Sequence, residues 1–160
     1  MAKSLDQKKA LDRAQWLCSQ QEKCTEDIKR KLTQWGVDPE KILAILGSLI
    51  DDGFIDEKRY ALTFARDKAR FNKWGPKKIE MALRAKRSPQ ENIQQAISEV
   101  ESFLGKDTLS DLLDKKLRTL KYKDRYDLKS KLLRFGVSRG FEYGDVLDVV
   151  EQLLSTIDFD

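Results

Sequence analysis

The sequence predicts an all-α protein of three tandem three-helix repeats in a curved, elongated array. Three observations carry that expectation. Breakers are scarce, with 8 Gly and 3 Pro in 160 residues, and every Pro stands where a helix begins. Apolar residues recur at i, i+3 and i+4, and no stretch alternates convincingly with period two. The pattern also repeats on itself at a spacing of about 50 residues, the mark of a tandem array.

The starts are explicit. Asp38-Pro39-Glu40 reads as an N-cap followed by Pro at the first helical position. Ser88-Pro89-Gln90-Glu91 repeats it and adds the Glu of a capping box. Gly75-Pro76 marks a third start, while Asp56 and Thr108-Leu109-Ser110-Asp111 are weaker ones. Gly53 follows the run Ile42 to Asp52 as a helix-ending residue.

A shift of 51 superposes the first two repeats without a gap. Ala10, Ala14 and Cys18 fall on Ala61, Ala65 and Ala69. Ile28 and Leu32 fall on Ile79 and Leu83, Gly36 on Arg87, and Ile42, Leu46 and Leu49 on Ile93, Ile97 and Val100. A shift of 104 brings Ile28 to Leu132, Gly36 to Gly140, Ile42 to Val146, Leu46 to Val150 and Leu49 to Leu153. The first helix of that third repeat, near Leu109 to Tyr122, leaves the register, so the link from Lys121 to Asp127 is expected to be longer. The repeats are assigned to residues 1–56, 57–105 and 106–160.

Composition excludes several chemistries. The chain has no His, so His-based triads and His-ligated metals are absent. Its two cysteines, Cys18 and Cys24, cannot complete a four-cysteine zinc site or a disulfide framework. They are assigned to the core or its edge, and a reducing cytoplasm is expected. No apolar run approaches the ~20 residues of a membrane span, and the polar start Met1 to Lys9 lacks the apolar region of a secretion signal. There is no phosphate-binding glycine loop and no nucleophile elbow. Asp51, Asp52 and Asp56 are better explained by a helix terminus and an N-cap than by a metal. Neither a cofactor nor an enzymatic activity is expected.

The junction of repeats one and two carries the most specific motif. It runs Ile50-Asp51-Asp52-Gly53-Phe54-Ile55-Asp56-Glu57-Lys58-Arg59-Tyr60-Ala61, then Phe64, Arg66 and Arg70, then Trp74-Gly75-Pro76-Lys77-Lys78-Ile79 and Leu83. Lys131-Leu132-Leu133-Arg134-Phe135 and Arg139-Gly140-Phe141 follow in the third repeat. These segments resemble the RecX family, regulators of the RecA recombinase, over roughly residues 9 to 155. The resemblance implies a non-enzymatic modulator that docks along the RecA filament on single-stranded DNA and suppresses its growth, ATP hydrolysis and strand exchange. Two departures from the family pattern stand out. Arg87 occupies a turn where Gly is expected. Gly136 replaces an apolar residue, at a helix-propensity cost of about 1 kcal/mol plus lost packing.

The charges point to an anionic partner. Residues 1–56 hold 9 bases and 10 acids, residues 57–90 hold 11 and 3, and residues 91–160 hold 11 and 14. The positive charge therefore gathers in the second repeat. At ~100° per residue, Arg59, Arg66, Arg70 and Lys73 fall within about 60° of one another. Tyr60, Phe64 and Phe71 form a separate packing face. The basic stripe lacks interleaved acids, and Lys77, Lys78, Arg84, Lys86 and Arg87 extend it. Such a stripe suits a nucleic-acid backbone or an acidic filament surface.

The binding set assigned on these grounds is Arg59, Arg66, Arg70, Lys73, Lys77, Lys78 and Arg84, with Arg125, Lys129 and Arg134 as a second group. The expected partners are the RecA filament and single-stranded DNA, with double-stranded DNA also open, and no membrane. A monomer is the default. The alternative is a helical DNA-binding module acting without RecA. Trp16, Trp35 and Trp74 admit two roles, base stacking or packing at helix junctions, and the second is favoured.

Overall fold

The computed structural model describes residues 5–104 and 106–159. Among these residues there are nine helices and no strand. They are α1 (Gln7–Gln20), α2 (Thr25–Gln34), α3 (Pro39–Asp51), α4 (Glu57–Phe71), α5 (Pro76–Ala85), α6 (Gln90–Phe103), α7 (Lys106–Thr119), α8 (Arg125–Ser138) and α9 (Tyr143–Ser155). The all-α, repeated three-helix reading is what the chain adopts. The chain divides into two compact units whose boundaries fall within α4, α5 and α6. One holds the residues up to Phe64 with Leu83–Ile93, the other Ala65–Ala82 with the residues from Gln94 onward. No helix among the described residues is long and apolar enough to cross a membrane.

The repeat register is a burial register. Ala10, Ala14, Ala61, Ala65 and Ala69 are at most 1% exposed, as are Ile28, Leu32, Ile79, Leu83 and Leu132. Cys18, Ile97 and Leu153 are half-buried. In the first unit Ala10 and Ala14 of α1 meet Ile28 and Leu32 of α2 and Ile42, Ile45, Leu46 and Leu49 of α3. In the second unit α7 brings Leu109 and Leu113 to Leu128 and Leu132 of α8 and to Val146, Val149, Val150 and Leu154 of α9. Each Val, Leu or Ile side chain so taken out of water contributes about 1.5–3 kcal/mol.

Several helix ends follow the sequence and several do not. Asp6, Asp56 and Asp124 cap α1, α4 and α8 by accepting the N–H groups of Lys9, Arg59 and Asp127. Asp38 makes no such bond, and α3 starts on Pro39 alone. The capping box expected at Ser88 and Glu91 does not form. The Ser88 hydroxyl is buried without a partner, and α6 opens at Gln90. Instead Asp27 reaches back to the Cys24 N–H at 3.3 Å. Helix α7 begins at Lys106, ahead of the Thr108–Asp111 signal. The link before α8 is Leu120–Asp124, only one residue longer than Gln21–Cys24 or Asn72–Gly75. The remaining extra length is helical, since α8 has 14 residues where α2 and α5 have 10.

The turn after each repeat's second helix is left-handed whatever residue occupies it. Gly36 has φ 74°, Gly140 95° and Arg87 57°. A left-handed backbone costs a side-chain-bearing residue roughly 1–2 kcal/mol. Arg87 returns little, because its guanidinium stands 3.9 Å from Glu26 and is 78% exposed. Arg87→Gly should therefore raise stability by about 1 kcal/mol. Urea unfolding checks it: the midpoint should rise at unchanged slope, and a fall would contradict this reading of the turn.

Gly136 is not a packing defect. A Cβ there would stand 2.6 Å and 2.9 Å from the two Cγ atoms of Val146. Val146 is itself fully buried, so its methyl groups already stand where a side chain at position 136 would go. The expected loss of packing is thereby corrected, and glycine is what lets α8 approach α9.

Candidate functional site

Two motifs distant in sequence meet in the second unit. The Gly75 N–H donates to the Arg139 carbonyl at 2.6 Å, and the Lys77 N–H donates to the Gly140 carbonyl at 2.9 Å. Gly75 has no room for a side chain, since a Cβ would lie 2.5 Å from the Gly140 carbonyl carbon and oxygen. A Cβ on Gly140 would lie 2.4 Å from Lys78 Cβ and 2.6 Å from Lys78 N. The Trp74-Gly75-Pro76-Lys77-Lys78 start and the Arg139-Gly140-Phe141 turn are thus backbone partners. This junction fixes the link that carries Lys73 and Trp74 and the start of α5 that carries Lys77 and Lys78.

Of the ten cations assigned to binding, Arg59 and Arg84 belong to the first unit and eight to the second. Arg59 is tied to its own unit: it pairs with Glu22 and donates through Nη2 to the Gly53 carbonyl at 3.0 Å. Arg84 is exposed on α5. In the second unit Arg66 donates through Nε to Glu99 at 2.9 Å, and Lys77 lies 2.9 Å from Glu142. Arg70 is exposed, its guanidinium 5.6 Å from the centre of the Phe103 ring. Lys78 sits 4.5 Å over Trp74. Lys73 is exposed and left-handed, with φ 56°.

The stripe is therefore less bare than its sequence suggests. Segment 57–90 holds few acids, but Glu22, Glu99 and Glu142 reach it from elsewhere in the chain. Lys86 and Arg87 likewise turn to Asp27 and Glu26. Burial pushes the Asp27 carboxyl up, yet the Lys86 ammonium and the Cys24 N–H outweigh it and hold it below its ordinary value. Exposed pairs of this kind are worth about 0–1 kcal/mol, so a phosphate can displace them. The packing face needs a correction too. Tyr60 is buried and stacks with Phe64 at 5.8 Å, but Phe71, at the end of α4, is 78% exposed.

The second group lies on α8. Arg125 and Lys129 share Glu151, at 3.4 Å and 2.5 Å, and Lys129, with Arg125 beside it, holds that carboxyl below its usual range. Arg134 is exposed. Among the described residues neither Arg134, Lys73 nor Arg70 pairs with a carboxylate. Of the exposed cations in the assigned set, these three have no carboxylate to give up before they meet an anion.

The cysteines offer no reactive thiolate. Cys24 is fully buried, and burial pushes its thiol up to about 11; burial raises Cys18 as well. Among the described residues no cluster of acids and thiols could hold a metal. The tryptophans divide. Trp35 and Trp74 are half-buried beneath cations, Arg13 over the first at 5.1 Å and Lys68 over the second at 4.9 Å. Trp16 is 60% exposed on the interior of α1, which corrects its expected place in a helix junction. The repeat register carried this signal, since Trp16 aligns with Asp67, a surface position.

Comparison with known proteins places these features. The profile of the RecX second three-helix domain matches residues 56–97, and that of the RecX third three-helix domain matches residues 106–150. The Regulatory protein RecX of Clostridium botulinum (strain Eklund 17B / Type B) is 30% identical over 135 residues, covering 83% of this chain and 63% of the relative. That of Mycobacterium sp. (strain KMS) is 28% identical over 128 residues, covering 78% and 70%. This chain thus spans less than two thirds of the length of the Clostridium botulinum protein. Among solved structures, RecX from Lactobacillus salivarius superposes with a TM-score of 0.75 at 23% identity, over 94% of this chain and 97% of that one. A second, a regulatory protein RecX, gives 0.81 at 23% identity over 91% and 71%. Both profiles fall on the segments whose motifs meet at Gly75 and Gly140, and on that ground the chain belongs to the RecX family.

Proposed function

We propose that this chain is a non-enzymatic regulator of the RecA recombinase. It docks on the RecA filament formed on single-stranded DNA and suppresses extension, ATP hydrolysis and strand exchange. Relatives named Regulatory protein RecX along four fifths of the chain support the regulatory role. The observation that carries the docking surface is the set of exposed cations held around the Gly75–Gly140 junction. A surface of backbone-fixed cations, without nucleophile or metal cluster among the described residues, is suited to binding.

Arg70 and Lys73 are the first residues to reverse, because neither pairs with a carboxylate whose loss would disturb the fold. Arg70→Glu/Lys73→Glu should weaken binding to the RecA–DNA filament at least tenfold, at unchanged helical circular dichroism. Co-sedimentation with preformed filaments measures this. Wild-type binding by the folded variant would remove these residues from the interface.

The exposed Lys73 and Arg134 also favour a second reading, direct DNA binding without RecA. Salt separates the two. For phosphate binding the logarithm of the affinity falls linearly with log salt, at a slope of about 0.9 per duplex phosphate contacted. Filament docking requires RecA at every salt concentration.

A further inference from the structure

We propose that the first repeat carries a stacking site for the bases of single-stranded nucleic acid, formed by Trp16 and Trp35 with Arg13 and Lys31 beside them. The site lies before residue 56, outside both family matches, and does not depend on the filament reading. A groove of about 490 Å³ is lined by Asp12, Arg13, Trp16, Leu17, Lys31 and Trp35. That volume is within the roughly 300–1,000 Å³ of small-ligand sites. Its apolar walls are two indoles and a leucine, and its cations outnumber its one carboxylate two to one.

Each component is held or available for a stated reason. The opposite face of α1 buries Ala10 and Ala14, which leaves Trp16 60% exposed. Trp35 is fixed at the end of α2: its N–H donates to the Lys31 carbonyl at 2.9 Å, and its own carbonyl accepts the Leu5 N–H at 3.2 Å. The Arg13 guanidinium lies 5.1 Å from the Trp35 ring centre, already parked on an aromatic face. Arg13 and Lys31 are exposed, and among the described residues no carboxylate pairs with either. Arg59, Arg66 and Lys77, by contrast, are all engaged by acids. An exposed indole, Trp16, beside a half-buried one, Trp35, and two cations that no carboxylate neutralises is a combination that binds single strands: bases stack on the rings and phosphates meet the charges. An apolar peptide would use the indoles but gain nothing from the two cations, so the nucleic acid is the better match.

The test uses the chain alone, without RecA, and a thymidine oligomer of about 15 nucleotides, the scale of one such binding site. With Trp74→Phe as background, the remaining fluorescence reports Trp16 and Trp35. The oligomer should quench it. Trp16→Ala should weaken binding about 5- to 100-fold, Trp16→Phe should restore most of it, and Arg13→Gln/Lys31→Gln should flatten the salt dependence. An abasic oligomer of equal length, which has phosphates but nothing to stack, should bind far more weakly and quench little. Equal binding of the two oligomers, or unchanged oligomer affinity in a folded Trp16→Ala variant, would overturn the proposal. So would a Trp16→Ala effect confined to self-association or protein binding. Failure of the RecA reading would leave these results unaltered.

Discussion

Gly140→Ala should destabilise the protein by about 3 kcal/mol or more. Two costs combine. The residue sits at φ 95°, where any side chain costs roughly 1–2 kcal/mol. The new Cβ would also meet Lys78 N at 2.6 Å and Lys78 Cβ at 2.4 Å, which are backbone and its immediate substituent rather than a yielding side-chain tip. Overpacking of this kind costs about 1–3 kcal/mol. At about 2–4 °C per kcal/mol for a chain of this size, Tm should fall by roughly 6–12 °C. The Gly75 N–H and Lys77 N–H bonds to Arg139 and Gly140 would be displaced with it. Filament binding should therefore fall more than the loss of folded protein explains. Gly144→Ala is the matched control: its Cβ meets nothing within 4 Å in the exposed first turn of α9. It should be neutral or gain up to about 1 kcal/mol of helix propensity. Calorimetry on the pair decides, and equal behaviour would contradict the junction.

Gly136→Ala should also destabilise, against its helix propensity. An Ala in mid-helix gains about 1 kcal/mol over Gly. Here the Cβ would press into both Val146 Cγ atoms, buried where α8 meets α9, and overpacking costs about 1–3 kcal/mol. The net loss should be about 1 kcal/mol. At Gly47, inside α3, the same change meets open space and should stabilise by about 1 kcal/mol. Opposite signs for one substitution in two helix interiors isolate the contact. Gly136→Ala/Val146→Ala should be more stable than the sum of its single changes by roughly 1–2 kcal/mol, the coupling expected of touching residues. Additive effects in urea titrations would mean that α8 and α9 do not approach through Gly136.

How far the sequence reaches depends on how local each determinant is. The alanine ladder, the starts at Pro39 and Pro76, and the glycine turns at Gly36 and Gly140 are set by neighbouring residues, and they were legible. Arg87 was legible as a departure, because register alone places it at a turn that glycine favours. The Gly136 contact was not, since its meaning depends on Val146, which fills the space from another helix. The acids on the basic stripe were hidden for the same reason: Glu22, Glu99 and Glu142 lie outside the segment 57–90 whose cations they meet. The helical wheel grouped Phe71 with Tyr60 and Phe64. A wheel carries no information about where packing ends, and Phe71 lies at the last position of α4. Trp16 could have been placed on the surface from its alignment with Asp67. Its partners Arg13, Lys31 and Trp35 come together only through the pairing of α1 with α2.

The central claim, regulation of RecA by docking on its filament, is tested most directly by single-stranded-DNA-dependent ATP hydrolysis. The cognate RecA is held constant while this protein is titrated in. The account predicts inhibition at well below one molecule per RecA protomer, as expected when docking blocks extension, and a rightward shift of the titration for Arg70→Glu/Lys73→Glu. Inhibition only when the protein outnumbers DNA sites, and lost as salt rises, would mean competition for DNA instead. Unchanged hydrolysis at every ratio would contradict the claim outright.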